Sequence, residues 1–265
     1  MIVLGYMAAV LIGISLGLIG GGGSILTVPV LVYLFGVDAT LATSYSLFIV
    51  GATSLVGAYK NYTKGFVDIK TALLFGAASI TTVLLTRRFV IPLIPDTIWT
   101  SGSMVITKSF LTMVLFASLM LMASFSMIGG GKKTEEHTTN DGGNVLPSLI
   151  LYGIGIGLVT GLLGAGGGFL LIPALVLLLR LPMKNAVGTS LFIIALNSLI
   201  GFTGDLGRAL IDWSFLLTLT AISVVGIIVG TELSKKVPGS KLKTGFGWFV
   251  MIMAVYILIK EIFLK

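Results

Sequence analysis

The chain has 265 residues, of which 56% are hydrophobic and only 10% charged, and its mean hydropathy is +1.10. An ordinary soluble domain carries roughly 25% charged residues, so the charge here cannot cover a globular surface; a soluble enzyme, a nucleic-acid binder and a disordered chain are excluded. The net charge of +7 is then read as Lys and Arg gathered in short loops that set orientation in a bilayer, and the absence of Cys removes disulfides, thiolate catalysis and cysteine metal sites.

A membrane-crossing helix needs about 20 apolar residues. In chain order the apolar runs are 2–19, 41–59, 69–86, 104–128, 146–163, 186–203, 213–231 and 246–259. The first has no basic lead and no small-residue cleavage site, and reads as a retained membrane segment. Two further runs, 25–35 and 169–179, are too short to cross as straight helices, and both follow glycine runs. Residues 129–145 form a polar linker with Lys132, Lys133, Glu135, Glu136, His137 and Asp141 among glycines. The expected organisation is a first transmembrane repeat over 1–128, the linker, and a second repeat over 146–265. His137 reads as a solvated residue without metal partners.

The halves are copies of one another. An offset of 144 places Gly17-Leu18-Ile19-Gly20-Gly21-Gly22-Gly23 on Gly161-Leu162-Leu163-Gly164-Ala165-Gly166-Gly167, Pro29 on Pro173, Ser46-Leu47-Phe48-Ile49 on Ser190-Leu191-Phe192-Ile193, and Asp68 on Asp212. About 19 of 52 positions in this ungapped window are identical, which marks an internal duplication. Loop charge alternates between the copies. The loop at Asp38 has no base where its counterpart has Arg180 and Lys184, and the loop with Lys60 and Lys64 matches one with Asp205, Arg208 and Asp212. The positive-inside rule then puts equivalent loops on opposite sides, which requires inverted repeats. Lys235, Lys236, Lys241 and Lys243 fall inside, while Arg87 and Arg88 fall outside against the rule.

The glycine runs at 20–23 and 164–168 release the backbone from the helix at bilayer depth, which is tolerated only against protein or a wet cavity. A short helix follows each run, and its free N–H groups and positive dipole end attract an anion. Close helix packing through small residues is the competing reading of any one glycine; two interrupted segments at equivalent positions point to a transporter site. The substrate-binding residues expected are Gly21, Gly22, Gly23 and Ser24 in the first copy, and Gly166, Gly167 and Gly168 in the second. Ser44, Ser46, Thr189, Ser190 and Asn197 join them on the following segments, with Thr43 and Ser198 beside them. These are neutral donors that bury no charge. All ten Asp and Glu lie at segment ends or in loops, which disfavours a carboxylate-coupled antiport. Asp68 and Asp212 read as helix N-caps. Without paired acids, a His beside a nucleophile or a phosphate-loop lysine, no enzyme is expected, nor any cofactor, catalytic residue or metal ligand.

The glycine runs with Ser24 and Val28-Pro29, the stretch Ala42-Thr43-Ser44-Tyr45-Ser46, the second copy with Ile172-Pro173 and Ala186-Val187-Gly188-Thr189-Ser190-Leu191, and the Val67-Asp68 and Ile211-Asp212-Trp213 helix starts together resemble the sulfite exporter TauE/SafE family. The likeness covers nearly the whole chain and departs at Arg87-Arg88 and the long 92–103 connection. It implies a multi-pass permease in the cell (inner or plasma) membrane for small anions of sulfur or carbon metabolism, such as sulfite and sulfonates. The fold class expected is an all-α integral membrane protein of two inverted five-segment repeats. Its partners are a small anion and the lipid bilayer, with a homodimer as a further candidate and no nucleic acid. Two alternatives stay open: an anion channel, which would show an open pore and no saturable flux, and a non-transporting assembly or scaffold protein, which would show no substrate-dependent stabilisation.

Overall fold

The computed structural model describes residues 2–21, 23–101, 104–129, 145–164, 166–179, 181–207, 211–234 and 239–263. Gly22, Ala165, Arg180, Arg208, Lys235, Lys236 and nearly all of the linker, His137 included, lie outside the described residues. The protein is an all-α membrane protein. Its helices are α1 (Ile2–Ile19), α2 (Ser24–Phe35), α3 (Ala39–Tyr62), α4 (Ile69–Leu85), α5 (Ile91–Leu93), α6 (Lys108–Gly129), α7 (Val145–Leu163), α8 (Gly168–Leu179), α9 (Met183–Thr203), α10 (Trp213–Leu233) and α11 (Gly239–Phe263). A π-helical turn, Thr86–Val90, joins α4 to α5 without a break. Among the described residues, five helical segments are long and apolar enough to cross a bilayer: Ala39–Tyr62, Ile69–Leu93, Lys108–Phe125, Met183–Thr203 and Trp213–Leu233.

One expected helix is shortened. Hydropathy alone makes the run from Met104 helical, but Met104–Thr107 is strand β2, paired antiparallel with β1 (Thr97–Ser101). The segment is rich in Thr, Val, Ile and Trp, whose branched and aromatic side chains favour extended backbone, and hydropathy does not separate a short strand from a helix end.

Helix starts follow local chemistry. The Asp38 carboxylate accepts from Thr40 N at 2.8 Å, that of Asp68 from Thr71 N at 3.1 Å, and that of Asp212 from Phe215 N at 3.0 Å, so the expected caps at Asp68 and Asp212 are present. Each first helix of a half ends on equivalent bonds, Gly20 N to Leu16 O and Gly164 N to Thr160 O.

Packing follows the helical period. On α1, Ala9, Ile12 and Leu16 are buried, while Leu4, Met7 and Leu11 on the opposite face are exposed as a lipid-facing stripe. The buried stripe meets α10 where Gly13 and Gly17 face Gly226 and Gly230, so closely that a Cβ on Gly13 would lie 2.9 Å from Gly226 Cα. The neighbour relations repeat between the halves: α1 lies on α10 as α7 lies on α4, α3 on α10 as α9 on α4, and α3 itself packs on α9. A Cβ on Gly57 would lie 3.2 Å from Leu191 Cδ1 and one on Gly201 3.4 Å from Leu47 Cδ1, while Gly51 faces Leu199. Rising numbers on α3 meet falling numbers on α9, so the two helices run antiparallel. They cross near Ala52 and Thr53 on one and Leu196 and Asn197 on the other.

Candidate functional site

Both glycine runs are helix breaks. Gly20 has φ 78° in the first, and Gly164, Gly166 and Gly167 have φ of 67°, 65° and 67° in the second. These left-handed conformations suit residues without a Cβ, and they end α1 and α7 before α2 and α8 begin. The two breaks touch: a Cβ on Gly168 would sit 2.6 Å from Gly21 Cα. Contact of backbone with backbone is open to glycine alone, which is why neither partner carries a side chain. The N-terminus of α2 has no side-chain cap on Gly23, leaving donors and the positive end of the helix dipole at the break. Ser24 Oγ turns back and donates to Gly21 O at 2.8 Å.

The breaks lie against the α3/α9 pair. Gly20 abuts Val187 and Gly164 abuts Thr43, which are repeat equivalents, and Gly166 faces Val50, Ile194 and Ser198. Ser190 Oγ donates to Val187 O at 2.9 Å and reaches Gly20 O at 3.4 Å. Thr53, Ser54 and Ser198 at the crossing, and Ser46 two helical turns before it on α3, are buried, and among the described residues their hydroxyls have no hydrogen-bond partner. A Cβ on Gly166 would be 3.1 Å from Ser198 Oγ. Buried polar groups are ordinarily paired, because an unpaired one pays its full desolvation cost. Four such hydroxyls lie along α3 and α9. Thr160, next to Gly167, adds a fifth such hydroxyl.

The expected site residues divide accordingly. Gly21, Gly23, Ser24, Gly166, Gly167, Gly168, Ser46 and Ser190 belong to the breaks and the helices against them; Gly22 is outside the described residues. Asn197 sits at the crossing but turns to α4, where Nδ2 donates to Ser79 Oγ at 2.6 Å and Oδ1 is unpartnered. Exchanging the amide oxygen and nitrogen, which have the same shape, lets Ser79 donate and frees the NH2. Thr189 is engaged elsewhere, its Oγ1 accepting from Asp68 N at 2.9 Å. The equivalent bond in the other half runs from Asp212 N to Tyr45 Oη at 2.8 Å.

Ser44 belongs to a cluster that hydropathy did not reveal. The π-helical turn carries Arg87 inward, where it is completely buried, and Nη1 donates to Asp205 Oδ2 at 2.8 Å and to Thr43 Oγ1 at 3.1 Å. Ser44 Oγ donates to the same carboxylate oxygen at 2.6 Å. The expectation of neutral donors alone is therefore corrected: a guanidinium and a carboxylate are buried beside the second break. Asp205 does lie in a turn, just after α9, but that turn folds under α4, with Gly204 allowing a close approach to Arg87. The available signal is Arg87 itself, which the loop-charge reading leaves on the outer side against the positive-inside rule. Thr53 and Ser54 were also missed, although they lie two helical turns from Ser46 and match Asn197 and Ser198 in the other copy.

Comparison with known proteins gives one family and several relatives. The model of the sulfite exporter TauE/SafE family matches residues 6–257. A probable membrane transporter protein of Xylella fastidiosa (strain 9a5c) is 31% identical, covering 94% of this chain and 91% of the relative. The probable membrane transporter protein YunE of Bacillus subtilis (strain 168) is 29% identical over 96% of this chain and 95% of its own length. One from Haemophilus influenzae is 24% identical over 98% of both. No solved structure matches significantly.

Proposed function

The chain belongs to the sulfite exporter TauE/SafE family of membrane transporters, and from that premise we propose that it exports small oxyanions, sulfite or organosulfur and organic acids, from a site at the bilayer midplane between its two halves. The observation that carries this reading is the set of buried, unpartnered hydroxyls of Thr53, Ser54 and Ser198 at the α3/α9 crossing, where Gly166 of the second break meets Ser198, with Ser46 two turns away on the same helix as Thr53. Hydroxyl donors and the uncapped N-terminus of α2 hold an anion strongly enough to desolvate it and weakly enough to release it. In this reading the halves, 1–128 and 146–265, form an inverted repeat. The antiparallel run of the equivalent helices α3 and α9 and the reciprocal contacts of Gly57 with Leu191 and Gly201 with Leu47 support it, because a twofold axis exchanging antiparallel helices lies across them, in the membrane plane. The close approach of Gly21 and Gly168 joins the breaks of the two halves, which supports alternating access over an open channel.

The test is a thermal-shift screen of the purified protein in detergent over sulfite, sulfate, thiosulfate, sulfonates and carboxylates. At least one anion raises the unfolding temperature of the wild type, and Ser198→Ala weakens that response. A wild type stabilised by none of them refutes the proposal and favours a scaffold.

A further inference from the structure

We propose that Arg87 is a second oxyanion-binding residue, placed at one end only of the α3/α9 pair and held shut by Asp205, a tethered carboxylate that competes with the transported anion. The inference rests on the reading of an oxyanion transporter and adds to it a gate with a side.

Four observations converge. A fully buried guanidinium in a membrane helix is costly even when paired, and Arg87 is buried with Asp205, Ser44 and Thr43 gathered on it. The fold does not require this ion pair, because the repeat equivalents of Arg87, Asp205, Ser44 and Thr43 at the opposite end are Thr231, Asn61, Gly188 and Val187. These four equivalents carry no charge, and two of them bond within their own helices, Asn61 Nδ2 donating to Gly57 O at 2.9 Å and Thr231 Oγ1 to Ile227 O at 2.7 Å. The backbone differs in the same place, since α4 takes a π-helical turn at Thr86–Val90 where α10 continues as regular α-helix through Thr231. Such turns concentrate at functional sites. Finally, the cluster reaches the second break through Thr43, which accepts from Arg87 and whose Cβ would be 2.6 Å from a Cβ on Gly164.

Position fits a gate. Ser44 lies about eight or nine residues along α3 from the crossing, or about 13 Å at 1.5 Å per residue, near the edge of a hydrocarbon core about 30 Å thick. An anion arriving from that side meets Arg87 before it meets the midplane hydroxyls. The chemistry fits as well, because Asp205 presents to Nη1 and Ser44 what a sulfite or carboxylate oxygen would present. While the aspartate is seated the cluster is neutral and closed; when an incoming oxyanion takes its place the guanidinium stays paired, the Asp205 carboxylate, already 10% exposed on its turn, swings out to water with its charge, and the cluster opens.

Three variants test this in the same anion titration by thermal shift, using sulfite and sulfate as probes. With Asp205 seated more than nine-tenths of the time, the apparent affinity is at most a tenth of the intrinsic one, so Asp205→Asn raises it about tenfold or more. Arg87→Gln lowers it. The double variant Arg87→Gln/Asp205→Asn replaces the ion pair by a neutral one that can still hydrogen-bond, so it folds while its affinity stays low. A purely structural ion pair predicts the opposite pattern: both single variants lose stability and anion response together, and the double variant recovers both. Single variants shifting in the same direction, or a double variant titrating like the wild type, overturns the gate and leaves the proposed function standing. A wild type that responds to neither probe, nor to any anion of the wider screen, overturns both.

Discussion

Replacing Gly166 by Ala tests the site through its backbone. Gly166 has φ 65°, a conformation that costs an L-residue about 1–2 kcal/mol. The new Cβ would lie 2.9 Å from Val50 Cγ1, 3.1 Å from Ile194 Cγ2 and 3.1 Å from Ser198 Oγ. All three belong to α3 and α9 at their crossing, where neither helix can withdraw without disturbing the other, so overpacking adds about 1–3 kcal/mol. The expected loss is therefore about 2–5 kcal/mol in all. Gly65 supplies the control, because its φ is 73° and nothing lies within 4 Å of a Cβ there; Gly65→Ala meets the conformational cost of about 1–2 kcal/mol alone. Unfolding of both variants in detergent measures the difference, and anion titration of each reads the site. Gly166→Ala loses the anion-dependent stabilisation because the Ser198 hydroxyl is displaced, whereas Gly65→Ala keeps it. If Gly166→Ala proves no less stable than Gly65→Ala and responds to anions as the wild type does, the second break is a packing feature and the site reasoning fails.

Asp212→Ala removes one cap bond and Asp68→Ala two bonds from Thr71, and each lowers stability by about 1 kcal/mol, with Asn at either position recovering part of it; no change in unfolding midpoint would show the caps to be idle. Single cysteines introduced as Thr63→Cys and Gly207→Cys, in a chain that has none of its own, label from opposite sides of the membrane, and labelling from the same side rejects the inverted repeat. For a monovalent anion moving without a coupled proton, 100 mV is worth about 2.3 kcal/mol, roughly a 50-fold gradient. Substrate flux in proteoliposomes therefore follows an imposed potassium-diffusion potential at equal pH, and flux that ignores voltage but follows a pH gradient replaces this mechanism with a proton-linked one, for which the buried Asp205 is the first carboxylate to mutate.

What was legible in the sequence is what depends on neighbours along the chain. Hydropathy over 18 or more residues identifies membrane helices because the bilayer sets their length, a glycine run frees the backbone wherever it occurs, and an Asp just before an apolar run caps a helix through bonds only two or three residues long. The duplication, too, is written in one dimension. Tertiary structure alone decided which of these pieces meet. Gly21 and Gly168 come from different halves, the hydroxyls of Ser54 and Ser198 acquire meaning only where α3 crosses α9, and Arg87 finds Asp205 across 118 positions. A π-helical turn shifts the phase of a helix relative to a regular one, so Arg87 on the outer end of a lipid-facing helix and Arg87 buried against Asp205 have the same hydropathy profile. Only the packing of α4 on α9 separates them.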